Sequence, residues 1–155
     1  MDGVLSTLIA VTRTLLGAGL THLFQRRASA RDQAFGAQRE LRSERMAVYS
    51  DFAGALTEYR RGQLDRWHRK NEDPDSSAYV AARIEAYRLR GLALHALFRV
   101  QLIASGQTLF DAAQDACTHA SNLHKATDKA ELSIRGAHAR EALEQFIRLA
   151  SSDVP

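Results

Sequence analysis

The chain has 155 residues, 45% of them hydrophobic and 7% aromatic, with 21 Lys and Arg against 18 Asp and Glu for a formal charge of +3. That length allows one modest core plus a short extra segment. A single cysteine, Cys117, excludes an intrachain disulfide, and the small charge excess does not by itself point to nucleic acid. Only two prolines, Pro74 and Pro155, interrupt an Ala- and Leu-rich text, which predicts an all-α fold.

The first element is the apolar run GVLSTLIAVTRTLLGAGLTHLF, residues 3–24, closed by Gln25, Arg26 and Arg27. It has the ~20 residues that a bilayer crossing needs. Arg13 near its middle offsets most of the insertion energy, at roughly +2.5 to +3.5 kcal/mol against −0.3 to −0.6 for each large apolar residue. Yet Ser6, Ala10, Arg13, Gly17 and Thr21 recur every three or four residues and share one helix face with Gly3. Small and polar residues there make a seam along which helices approach closely in lipid. The expectation is a transmembrane anchor over residues 1–27, with an amphipathic or bundle helix as the alternative. The n-region Met1-Asp2-Gly3 lacks positive charge, unlike a cleaved signal peptide. Arg26, Arg27 and Arg31 follow the run, which orients a single-pass span with the C-terminal body in the cytoplasm.

Residues 28–45 are charged, poor in large apolar side chains, and read as a solvated helical stalk. A bundle is expected over 46–151, with 152–155 frayed. Its first helix, 46–70, carries Val48, Tyr49, Phe52, Leu56, Tyr59, Gln63, Leu64 and Trp67 at helical spacing. The stretch NEDPDSS, residues 71–77, is the clearest break: Pro74 disfavours helix at Asp73, and Asp75 or Ser76 can cap the next start. The second helix, 77–104, shows a stripe of Val80, Ile84, Tyr87, Gly91, Leu94, Phe98 and Leu102, taken as its core face. Gly106 is expected to end it with positive φ. A third helix, 108–125, bears Leu109, Phe110, Ala113, Cys117, Ala120, Leu123 and His124. A fourth opens at Asp128, with Glu131 three residues on in capping-box register, and carries Ile134, Ala139, Ala142, Leu143, Phe146, Leu149 and Ala150. Short connections make an antiparallel bundle; two long hairpins pairing between copies is the alternative.

No catalytic constellation is present. Cys117, His119 and His124 share a predicted helix, but the spacings of two and five point the side chains apart, so no metal and no cofactor are expected. His95 and His138 lie beside apolar stripes and read as packing residues. The densest basic-aromatic patch is Arg60, Arg61, Arg66, Arg69 and Lys70 around Trp67, a candidate partner surface whose simpler account is a solvated helix face.

The span text Arg13-Thr14-Leu15-Leu16-Gly17-Ala18, then Leu23-Phe24-Gln25-Arg26-Arg27, then an arginine-studded helix reaching Tyr59-Arg60-Arg61 and Trp67, resembles small KilB-like membrane proteins of actinomycetes. That resemblance implies a membrane-associated, non-enzymatic accessory protein of plasmid transfer or spread, with no catalytic residues to carry over. The sequence therefore leads to an anchored helical bundle that binds a protein partner or itself. No small-molecule substrate is inferred, and nucleic acid is not expected. A soluble all-α oligomer with the first helix buried is the alternative.

Overall fold

The computed structural model describes the backbone of residues 2–154 and the side chains of residues 35–154. Four α-helices follow one another: α1 (Asp2–Glu72), α2 (Ser77–Ile103), α3 (Gln107–Ser121) and α4 (Lys129–Asp153); the described residues contain no strand. The chain divides into two units, residues 1–41 and residues 42–155. In the first unit the described side chains, 35–41, are all exposed. The expected anchor, with Ser6, Ala10, Arg13, Gly17, Thr21, Arg26, Arg27 and Arg31, lies outside the described side chains. Among the described residues no helix is long and apolar enough to cross a membrane.

The second unit is a four-helix bundle, built as the α1 stripe predicts. Phe52 and Leu56 of α1, Val100 of α2, Leu123 between α3 and α4, and Phe146 of α4 are the largest fully buried side chains among the described residues. Phe52 meets Phe146 edge-on with ring centroids 4.7 Å apart, an arrangement that adds ~0.5–1.5 kcal/mol to the area the rings bury. Alanines Ala93, Ala96, Ala113, Ala116 and Ala120 fill the positions between, which lets α2 and α3 approach α1 and α4 closely. A Cβ on Gly62 would stand 2.6 Å from the Leu89 side chain, so this glycine sets the α1–α2 approach.

Both ends of the unit are tied by polar contacts. At one end Tyr49 donates to the Asp153 carboxylate at 2.5 Å, Arg45 donates to the Asp153 carbonyl at 3.0 Å, and Ser105 donates to the other carboxylate oxygen. The tail expected to fray instead stays helical through Asp153, where α1 and the connection between α2 and α3 both hold that residue. At the other end the Trp67 indole donates to the Ala126 carbonyl at 2.7 Å. That carbonyl follows a 3-10 turn, Leu123–Lys125, where one longer third helix was expected; α3 stops at Ser121, with Asn122 as its cap.

Local start signals act largely as read. The Ser76 hydroxyl accepts from Tyr79 N at 3.1 Å. Asp128 accepts from Glu131 N at 2.8 Å, while Glu131 reaches back to the backbone N–H and hydroxyl of Thr127, both 2.7 Å away. Gly106 differs from expectation: it is extended (φ −149°, ψ 156°) and caps the start of α3, while α2 has already ended at extended Ala104.

The main correction concerns α2. Its buried residues are Ala82, Ala86, Leu89, Ala93, Ala96, Leu97 and Val100. Most of the stripe of larger apolar residues expected as its core face looks outward, with Ile84 63% exposed, Phe98 58% and Leu102 87%, while Leu94 is half-buried against the core. Ile134 of α4 is likewise exposed, and Leu132 takes the core position. His95 and His138, expected in the packing, are exposed.

Candidate docking face and basic cavity

Helix α2 is apolar on two sides. At ~100° per residue, the buried Ala-Leu-Val face and the outward stripe are centred roughly 160° apart. A face this apolar on a solvated helix is the informative exception to ordinary surface composition. Arg83 and Arg90 run along one flank of the stripe, Arg88 and Arg99 along the other, and Glu85 is the one acidic residue of the helix. Arg88 is held by Glu85 through two hydrogen bonds of 2.8 and 2.6 Å, and Arg99 by Asp51 of α1 at 2.7 Å. Arg83 lies over the Tyr79 ring, 5.9 Å from its centroid.

Beside the stripe lies a cavity of about 250 Å³, bounded by α1, α2 and the 3-10 turn. Arg66, Arg90, His124 and Lys125 line it together with Tyr59, Gln63 and Tyr87, and no carboxylate is among the lining residues. Arg66 also stacks over Tyr87, 5.7 Å from the ring centroid, joining cavity and stripe. Burial, then the charge of Arg66, then that of Lys125 and Lys70, holds the His124 imidazole below its ordinary value. A backbone hydrogen bond with Ser121 opposes that shift. Gln63 is only 3% exposed; its amide nitrogen donates to the Tyr59 hydroxyl at 2.8 Å and the Ser121 carbonyl at 3.4 Å, leaving Oε1 without a protein partner.

The predicted basic patch is divided by this geometry. Arg61 pairs with Glu58 at 3.3 Å, and Arg69 with both Asp65 at 3.4 Å and Glu72 at 3.0 Å, all on exposed helix surface. Lys70 is exposed and Arg60 partly so, but neither lines the cavity. Of the five, Arg66 alone joins the cavity, where residues far along the chain meet it. Arg90 and Lys125 were missed because nothing in the local text links them to Arg66. The one available signal was that Gln63 interrupts an otherwise apolar or aromatic stripe.

A larger groove of about 580 Å³ runs between α1 and α4, lined by Met46, Tyr49, Ala53, Phe146, Ile147 and Val154 among others. It offers few convergent polar groups. Burial pushes the Cys117 thiol up to about 12, which makes it a packing residue rather than a nucleophile. Among the described residues no three His, Cys, Asp or Glu side chains gather where a metal could sit.

A family model described as KilB plasmid transfer protein matches residues 46–154, more than half of the chain. The chain belongs to the KilB family. The KilB match begins at Met46 and ends at Val154, so it covers the bundle, the outward face of α2 and the basic cavity, and leaves the apolar run outside. No curated protein and no solved structure matches this KilB chain.

Proposed function

We propose that this KilB-family protein is a non-enzymatic accessory of plasmid transfer that works by docking a protein partner on the outward face of α2. The observation that carries the reading is the exposed stripe Val80, Ile84, Tyr87, Phe98 and Leu102 on a helix whose other side already fills the core. Helix-in-groove recognition uses such i, i+3, i+4, i+7 anchors. Arg88 and Arg99 on one flank are already paired with Glu85 and Asp51, so Arg83 and Arg90 on the other select the occupant: an amphipathic helix of a partner protein with acidic residues along that side of its apolar stripe. Two copies joined α2 to α2 would set arginine rim against arginine rim, and like charges across an interface disfavour it. Residues 3–24 hold the protein in the membrane in this reading, and Arg26, Arg27 and Arg31 keep the bundle on the cytoplasmic side.

The docking test uses the full-length chain in nanodiscs and two synthetic helices of leucine repeats, one flanked by glutamate and one by lysine. The glutamate-flanked helix is expected to bind, more weakly as salt rises, and to lose about tenfold or more in affinity with Phe98→Asp. In the host, the same exposed-site variant is expected to lower plasmid transfer while leaving the melting temperature unchanged. Unaltered transfer, or equal binding of the lysine-flanked helix, overturns the reading. A dimer of the protein alone that Phe98→Asp dissociates assigns the face to a second copy instead. For the anchor, host membranes washed with carbonate should retain the protein; its release overturns the span.

A further inference from the structure

We propose that the cavity between α1, α2 and the 3-10 turn is a binding site for a protonated phosphate group, held by Arg66, Arg90 and Lys125 and read by Gln63. The inference stands apart from the docking of a partner on α2. Two guanidinium groups and an ammonium group line one cavity without a carboxylate among them. Elsewhere on α1 and α2 the arginines Arg61, Arg69, Arg88 and Arg99 are engaged by Asp or Glu. Arginine forks suit oxyanions, and a cavity of about 250 Å³ suits a small head group rather than a drug-sized ligand.

Gln63 narrows the class of anion. Its nitrogen is committed to the Tyr59 hydroxyl and Ser121 carbonyl, so the atom left over is an acceptor, Oε1. A buried acceptor asks its ligand for a hydrogen-bond donor. A carboxylate, a sulfate and a phosphodiester of DNA carry negative charge but no proton at neutral pH. Inorganic phosphate carries at least one, and a phosphate monoester carries one below its second pKa near 6. The anion would also lift the suppressed imidazole of His124.

Side-chain NMR of the full-length chain in neutral-lipid nanodiscs, titrated with inorganic phosphate, sulfate and acetate, tests this. Phosphate is expected to shift the Gln63 amide and the Arg66 and Arg90 signals saturably, and to raise the His124 titration midpoint. Sulfate should bind several-fold more weakly, and acetate more weakly still. Arg90→Gln, an exposed site that keeps the fold, should weaken phosphate about tenfold, because a charge-assisted contact is lost. Gln63→Leu should erase the preference for phosphate over sulfate while both still bind. Shifts that do not saturate, that survive Arg90→Gln, or that acetate reproduces equally overturn the site. Vesicles of phosphatidylcholine with and without phosphatidic acid, at a pH below about 6 where a monoester keeps its proton, assign the source. Arg66-dependent binding to the acid-bearing vesicles makes the ligand a lipid head group. Phosphate shifts without such binding make it a free phosphate.

Discussion

The two faces of α2 differ in the opposite sense from what bulk alone would suggest. The inner face is mostly alanine, and it is buried; the outer face bears Ile84, Tyr87, Phe98 and Leu102, and it is exposed. Alanine lets α2 come close enough to α1 for Gly62 to touch Leu89, and the core is then filled from the neighbours by Phe52, Leu56 and Phe146. Large outward residues contribute little to a fold that closes without them. The comparison teaches that in a small bundle the face with less bulk can be the packed one, when the facing helices carry the volume. The remaining apolar face is then available for recognition.

The sharpest break of that contrast is between two phenylalanines. Phe146→Ala removes a fully buried ring and is expected to cost about 3–5 kcal/mol in urea unfolding. Phe98→Ala should stay within about 0.5 kcal/mol, as surface changes do. Equal losses would show that the outer face is packed in solution. Next comes size on the inner side: Ala93→Leu, at a site 1% exposed, should overpack and cost about 1–3 kcal/mol. On the outer side, Gly91→Ala meets nothing within 4 Å and should raise stability by about 0.5–1 kcal/mol through helix propensity. Comparing their thermal midpoints gives opposite signs from two neighbouring positions of one helix.

Smaller effects are set by pH. The Thr127 backbone N–H, then its hydroxyl and Arg135, hold the Glu131 carboxyl down at about 2. Its folded value lies below its ordinary 4.5, so its stabilisation is present above 4.5 and is lost as pH falls toward about 2. Glu131→Gln should flatten that part of an acid unfolding curve. His124 is also held low, chiefly by burial and next by Arg66. Its contribution is complete above its ordinary 6.5 and is lost as pH falls through its lower folded value. His124→Gln should remove the decline beginning below 6.5, and phosphate in the cavity, by raising the folded value toward 6.5, should shrink that decline.

Much of the bundle is legible in the sequence. The α1 stripe from Val48 to Trp67, the break around Pro74, the caps at Ser76 and Asp128, and the small-residue face of α3 all follow from neighbours three or four residues apart. The exceptions were α2 and the cavity. A periodic stripe states that apolar residues share a face, but not that the face is inward, and α2 has two such faces. Reading bulk as burial chose the wrong one. The cavity failed differently: Arg66, Arg90 and Lys125 stand on separate elements, and charge within one helix cannot show which arginines find carboxylates nearby.

By itself, then, the amino-acid text determined the all-α class, the helix starts and the core side of α1 and α3, because capping and 3.6-residue periodicity act through short-range contacts. Tertiary structure alone decided which side of α2 is buried, why the end of α4 holds at Asp153, and which basic residues share a cavity. Those outcomes depend on the volume and charge that other helices bring across the interface, and no local period encodes them.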